Sequence, residues 1–266
     1  MKTIITLLIG ALLAIIIINL KNEKQVDSFI KTKQESDIVN KIPSKQNQVI
    51  TINNNDQESN VFNEFDGTKG HFTDNRDGKS YRWVKIGNQI WMAQNLAYNT
   101  HKDGCCYYDD DRVLAGYFGY LYDWNTAMTV APKGWHLPSD SEWEQMINYL
   151  KENSYSYNGV KGDDAIAKSL CINKFWAKSN VKGSVGNNDY TDVINKTGFS
   201  ALAGGCKDDI EGYMGIGSYA KWWTATDGDK LGAYCRTIYY ENKTIDRGDF
   251  YINNKTMAYS VRCVKD

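Results

Sequence analysis

The run from Pro132 to Leu150 leaves this chain less conformational choice than any other stretch. Pro138 halts the segment before it. Ser139 then stands where an N-cap is needed and Glu142 follows three residues later, the reciprocal spacing of a capping box. Asp140 adds negative charge to the first turn, where the helix dipole favours it. Trp143, Met146, Ile147 and Leu150 recur at helical spacing and share one face. That face must be buried, and Leu137 is placed to fold back onto Trp143 as a staple.

Around this helix the chain reads mostly as strand and loop. Asp77-Gly78 marks a turn, and Gly87-Asn88 joins two alternating runs, Tyr81–Ile86 and Gln89–Met92, into a hairpin. Arg82, Val84 and Ile86 form one face of the first run and Tyr81, Trp83 and Lys85 the other. The Arg82 face is the better candidate for burial. Asn125–Met128 predicts a short helical piece, and Ala165, Ile166, Ala167 and Leu170 predict a second helix from about Asp163 to Asn173. Residues 183–198 read as a long polar loop. Phe199–Ala203, Ala220–Thr226, Ala233–Tyr240 and Ser260–Val264 are short strands between Gly, Asp and Asn clusters. Few helices and many short strands imply an α+β domain.

A chain of 266 residues, 42% hydrophobic, holds one sizeable domain plus appendages. A formal net charge of −1 lacks the basic footprint of a nucleic-acid binder, and that class is set aside. After Lys2, an apolar run from Ile4 to Leu20 reads as a signal peptide or an N-terminal membrane anchor. Its length and the lack of an Ala-x-Ala site favour the anchor. Residues 21–69 are rich in Lys, Asn, Gln and Ser without periodicity and read as a flexible polar stalk. Residues 70–266 form the globular domain, placed outside the cytosol in the cell envelope. Exported cysteines meet oxidising conditions, so disulfides are expected among the six. None forms a C-x-x-C pair, which argues against a zinc ribbon or thioredoxin-like site.

Several stretches together resemble the Fibrobacter succinogenes major paralogous (FISUMP) domain. They are Asp77-Gly78 with Tyr81, Val84 and Ile86-Gly87; Gln89 with Trp91, Met92, Ala93, Asn95 and Leu96; Tyr120, Tyr122 and Trp124; Pro132 with Gly134–Pro138, Glu142 and Trp143; Gly198–Leu202 with Gly204-Gly205; Trp222-Trp223; and Ser260–Val264. The resemblance covers roughly Asp74 to Asp266, in order. It implies the C-type-lectin-like and formylglycine-generating-enzyme fold, an α+β domain with two helices, a twisted antiparallel sheet and long loops. In the family a Cys commonly precedes the Pro-x-Gly-Trp-His motif, and Ala131 stands there instead. Cys263 therefore lacks the partner the resemblance suggests. Cys206 with Cys235 is the leading pair, leaving Cys105, Cys106 or Cys171 for Cys263.

His136 has no Ser-His-Asp or Cys-His spacing around it, and a structural histidine bonding the turn backbone is the better reading. His71 and His101 do not add up to a metal site with it. A reactive cysteine pair of the formylglycine-generating type is not recognisable, and the domain is read as non-enzymatic. Gly215 and Gly217 imitate a dinucleotide fingerprint without its third glycine. Asp109, Asp110 and Asp111, or Asn187, Asn188, Asp189 and Asp192, carry oxygen ligands suited to Ca²⁺. No Glu-Pro-Asn motif for calcium-bridged sugar accompanies them. Trp222-Trp223 and Tyr239-Tyr240 are candidate sugar platforms, with one of each pair expected outward by strand alternation. The expected role is non-catalytic recognition of a glycan or surface protein. The alternatives are a formylglycine-generating-type cysteine oxidase and a purely structural envelope module.

Overall fold

A computed structural model describes residues 68–208, 211–228, 232–248 and 254–266. The expected N-terminal apolar segment and the polar stalk up to residue 67 lie outside the described residues.

The described residues open with β1 (Lys69–Thr73), β2 (Ser80–Ile86) and β3 (Gln89–Met92), then β4 (Cys105–Cys106), α1 (Arg112–Phe118), β5 (Leu121–Tyr122) and α2 (Trp124–Ala127). The organising run supplies β6 (Trp135–His136) and α3 (Asp140–Glu152), followed by α4 (Ala167–Leu170). The remainder is β7 (Gly204–Asp208), β8 (Gly212–Ile216), β9 (Tyr219–Asp227), β10 (Ala233–Tyr239), β11 (Asp246–Gly248), β12 (Tyr259–Ser260) and β13 (Val264–Lys265). One sheet is antiparallel in the order β1-β2-β3-β13-β6. A second runs β11-β10-β9-β12-β5-β4, with β7 and β12 both parallel to β9 and β8 pairing with β7. The domain is mixed α+β, mostly sheet.

The expected hairpin is present. Gly87 takes φ +61° at the turn, a conformation glycine adopts without steric penalty, and Ile86 faces Gln89 across the register. The capping box of α3 is complete, and Trp143, Met146, Ile147 and Leu150 are buried. Their cluster gathers Trp91, Phe199 and Trp222 around Trp143, with ring centroids 4.8–5.9 Å from it. Full burial of one such side chain contributes about 1.5–3 kcal/mol. Leu137 is buried too, but in a second cluster with Trp83, Met92, Tyr122, Trp223 and Tyr259, so it staples nothing onto Trp143.

Three further expectations are corrected. Both faces of β2 are covered: Val84 and Ile86 enter the α3 cluster, Tyr81 and Trp83 the other. The stripe Ala165, Ile166, Ala167 and Leu170 is buried as expected, yet the helix shrinks to α4. The Ala165 N–H donates to Asp163 Oδ1 and the Ala167 N–H to the Lys243 carbonyl, so the backbone of a longer first turn is already engaged. Cys171 to Ala203 adds only an isolated bridge at Ala201, and the strand begins at Gly204 instead.

Between β12 and β13 lies Arg262, 1% exposed, with no carboxylate partner among the described residues. Its Nε and Nη2 donate to Asn95 Oδ1 at 3.1 and 2.8 Å, and Nη1 donates to the Phe199 carbonyl. Burial pulls its pKa down to about 9, so it stays charged at neutral pH. Asn95 Oδ1 also accepts the Trp222 indole N–H at 2.9 Å, while Nδ2 donates to Phe118 O at 2.8 Å and Ser260 Oγ at 3.2 Å. One amide thus ties the segment after β3 to the end of α1, to β9 and to the C-terminal strands.

A tyrosine-lined cleft

A cleft of about 720 Å³ opens between the β1–β2 turn, the segment Gln94–Asn99 and α1. Its walls include Tyr98, Tyr107, Tyr117 and Tyr120, all half-buried, with Arg76, Lys79 and Arg112 interleaved. Each wall is fixed by the backbone behind it. In the turn, Gly78 at φ +73° donates its N–H to Asp74 O at 2.8 Å, and the Asp74 N–H donates to Lys79 O. The Asp74 carboxylate is buried and receives Arg76 Nε at 2.9 Å and Nη2 at 2.6 Å. Burial opposes ionisation of Asp74, but the Arg76 bonds outweigh it and hold the carboxyl below its usual range. The guanidinium so anchored lies 3.9 Å from the centre of the Tyr98 ring, a cation–π contact.

The segment after β3 is equally constrained. The Leu96 N–H donates to Val261 O and the Ala97 N–H to the Tyr81 hydroxyl, while Tyr98 O accepts the Tyr122 hydroxyl at 2.8 Å. On the opposite wall α1 is N-capped by Asp111, whose carboxylate accepts the Val113 N–H at 2.7 Å. Leu114, Ala115 and Phe118 face inward. Gly119 ends the helix at φ +78°, where any Cβ would also meet Leu96 O at 2.7 Å. Tyr120 follows, its N–H on Leu96 O, its ring 5.2 Å from Tyr107 and edge-on to it, with Lys79 Nζ 5.4 Å above. Lys79 also pairs with Asp77 at 3.3 Å and donates to Ala97 O. These are fixed aromatic faces beside hydrogen-bonding groups, the combination that packs against the apolar faces and hydroxyls of sugars.

The residues singled out from sequence sit elsewhere. Trp222 and Trp223 do point to opposite faces of β9, but both are fully buried because each face is covered by a cluster. Their indole N–H groups are spent on Asn95 and on the Tyr122 carbonyl. Neither is at the surface as a platform. Tyr239 is 41% exposed beside Tyr219, Tyr240 is half-buried, and neither lines the cleft. Asp109 and Asp110 are exposed, Asp110 accepting the Tyr213 hydroxyl at 2.8 Å, and Asp111 is consumed as the cap.

The cysteines are free thiols in this structure. Cys206 and Cys235 lie on β7 and β10, which flank β9 on opposite edges rather than neighbouring each other. Two strand spacings, about 10 Å, exceed the roughly 7 Å Cα limit for a disulfide. Cys263 belongs to the second cluster, against which Ala131 packs, whereas Cys171 is in the first. Burial raises the pKa of the Cys105 thiol and pushes that of Cys106 up to about 11. It likewise raises Cys171, Cys206, Cys235 and Cys263, so none is poised as a thiolate.

Charged groups outside the cleft are held by partners the sequence did not reveal. His136 bonds carboxylates rather than the turn backbone: Nδ1 lies 2.7 Å from Asp266 Oδ1 and Nε2 2.8 Å from Glu142 Oε1. Burial pulls its pKa down, but the two carboxylates outweigh it and the net shift is upward. In the polar loop, Lys168 Nζ, buried, donates to Asn187 O, Asp189 O and Asp189 Oδ1 at 2.6–2.8 Å. An ammonium therefore occupies the centre of the oxygen cluster suggested for Ca²⁺. Among the described residues no group of three or more His, Cys, Asp or Glu is placed to hold a metal ion.

The tyrosine cleft was not anticipated, although six of the 18 tyrosines fall between Tyr98 and Tyr122, a local density that was the available signal. The family model described as the Fibrobacter succinogenes major domain matches residues 84–265. The chain belongs to this family. The match includes α1, Tyr98, Tyr107, Tyr117 and Tyr120, so most of the cleft lies within the Fibrobacter succinogenes major domain, while Arg76 and Lys79 precede the matched residues. No curated protein and no solved structure matches the chain.

Proposed function

We propose that this chain is an exported cell-envelope protein whose Fibrobacter succinogenes major domain binds a glycan without chemical turnover, on a C-type-lectin-like scaffold. The observation that carries the reading is the cleft itself: four half-buried tyrosines, of which Tyr98 and Tyr120 are held by cation–π contacts and backbone hydrogen bonds, Tyr107 packs edge-on to Tyr120 and Tyr117 packs against Phe175. Preorganised rings stack on sugar with little loss of side-chain entropy. The apolar run from Ile4 to Leu20 supports export and anchoring. Buried thiols with raised pKa values favour binding over a cysteine-oxidase role.

Electrophoresis of the full chain in mild detergent through gels containing plant and bacterial polysaccharides tests the proposal. At least one polysaccharide retards the wild type, and Tyr98→Ala and Tyr120→Ala each weaken retardation about tenfold, the loss expected for a ring worth ~1.4 kcal/mol. Retention of no polysaccharide, or equal retention of both variants and the wild type, overturns it.

A further inference from the structure

Two residues of α1 have no role in holding the fold. Gly116 lies in the interior of a seven-residue helix and lines the cleft, exposed. An added Cβ there meets nothing within 4 Å, and its φ is not positive, so neither crowding nor backbone geometry demands glycine. Glycine in a helix interior is destabilising relative to alanine, and its remaining use is close approach of something outside the chain. One turn earlier on the same face stands Arg112, also exposed and lining the cleft. Its side chain makes no hydrogen bond or ion pair among the described residues, and a cation in the first turn of a helix opposes the dipole. The other cleft cations are engaged, Arg76 by Asp74 and Lys79 by Asp77. Asp77 is the one lining carboxylate, so the pairs cancel and the charge of Arg112 remains.

Resting on the glycan-binding reading above, we infer that the cleft takes a sugar bearing an anionic group, a carboxylate or a sulfate. The sugar lies over Gly116 as a flat floor, with its anion against the Arg112 guanidinium and its apolar face on Tyr120. A guanidinium meets either anion through paired N–H donors.

An array of acidic polymers beside their neutralised forms, uronate polymers beside methyl esters and sulfated galactans beside desulfated ones, probed with the full chain, tests this. The wild type binds an acidic form at least tenfold more tightly than its neutral counterpart, and the preference shrinks as salt rises. Whether the uronate or the sulfate pair shows the difference identifies the anion. Arg112→Gln abolishes the preference, its affinity for the acidic form falling to that for the neutral form. Gly116→Leu weakens binding to both forms at least tenfold while its thermal midpoint equals or exceeds that of the wild type, as removal of a helix glycine requires. Equal affinity for acidic and neutral forms overturns the inference and leaves the glycan reading standing. Unchanged binding by Gly116→Leu, or a fall in its melting midpoint, overturns the floor assignment. Silence across the whole array overturns both readings.

Discussion

Replacing Asn95 by leucine is the sharpest test of how the domain is held together. The side chain is buried and makes five hydrogen bonds, two of them from the Arg262 guanidinium. Leucine removes all five and leaves the guanidinium with the Phe199 carbonyl alone. Bonds to a charged group are worth roughly 1.5–3 kcal/mol each and neutral ones about 1, so the sum is about 6–9 kcal/mol before relaxation. A loss of at least about 4 kcal/mol is expected, a large part of the roughly 5–15 kcal/mol total of a typical domain. Urea unfolding of the full chain followed by tryptophan fluorescence measures it. Asn95→Asp keeps the acceptor and gives Arg262 a carboxylate, losing only the donors to Phe118 and Ser260, and should cost less than the leucine variant. Adding Arg262→Met to Asn95→Leu should recover part of the loss, because the stranded charge is gone. A leucine variant destabilised by less than about 1 kcal/mol, or a double variant no better than additive, would refute the reasoning.

Three other outcomes follow from the same contacts. Lys168→Met strands three oxygens and should cost about 3 kcal/mol, while EDTA or added Ca²⁺ leaves the wild-type unfolding midpoint unchanged; a calcium-dependent midpoint would contradict the ammonium's role. The raised pKa of His136 gives stability that is complete below its unfolded value near 6.5 and fades as pH rises through the folded value. The lowered pKa of Glu142 gives stability present above about 4.5 and lost as pH falls through the folded value. The clamp is therefore strongest between about pH 4.5 and 6.5, and His136→Asn should flatten the alkaline limb of the stability profile; an unchanged limb would sink this assignment. Asp140→Asn weakens the contacts that join α3 to β10 and β11 through buried Arg236 and through Arg247, and should lower the melting midpoint more than Glu152→Gln, whose Lys161 pair is at the surface; equal shifts would contradict that placement.

The features legible from sequence were those set by local chemistry. The α3 capping box and its apolar face, the turn glycines at 78 and 87, and the paired strands of the C-terminal quarter depend on neighbours within a few residues. Contacts across the chain were not legible. Trp222 and Trp223 alternate as a strand must, but nothing local to β9 shows that both faces are covered. Cys206 and Cys235 read from sequence as lying on neighbouring strands, while the sheet order puts β9 between β7 and β10, which carry them. Asn95 and Arg262 meet across 167 positions, and the cleft assembles a β-turn, a post-strand segment and a helix from separate stretches. Its clue was compositional, the crowding of tyrosines before the organising turn.

The central claim is that ligand seats on the cleft tyrosines and not on Tyr239 and Tyr240 at the end of β10. Hydroxyl-radical footprinting of the full chain, with and without a polysaccharide that retains it, measures this directly. Protection of Tyr98, Tyr107 and Tyr120, with Tyr239 and Tyr149 oxidised at unchanged rates, is the predicted result. Protection confined to Tyr239 and Tyr240, with the cleft tyrosines unaffected, would contradict it.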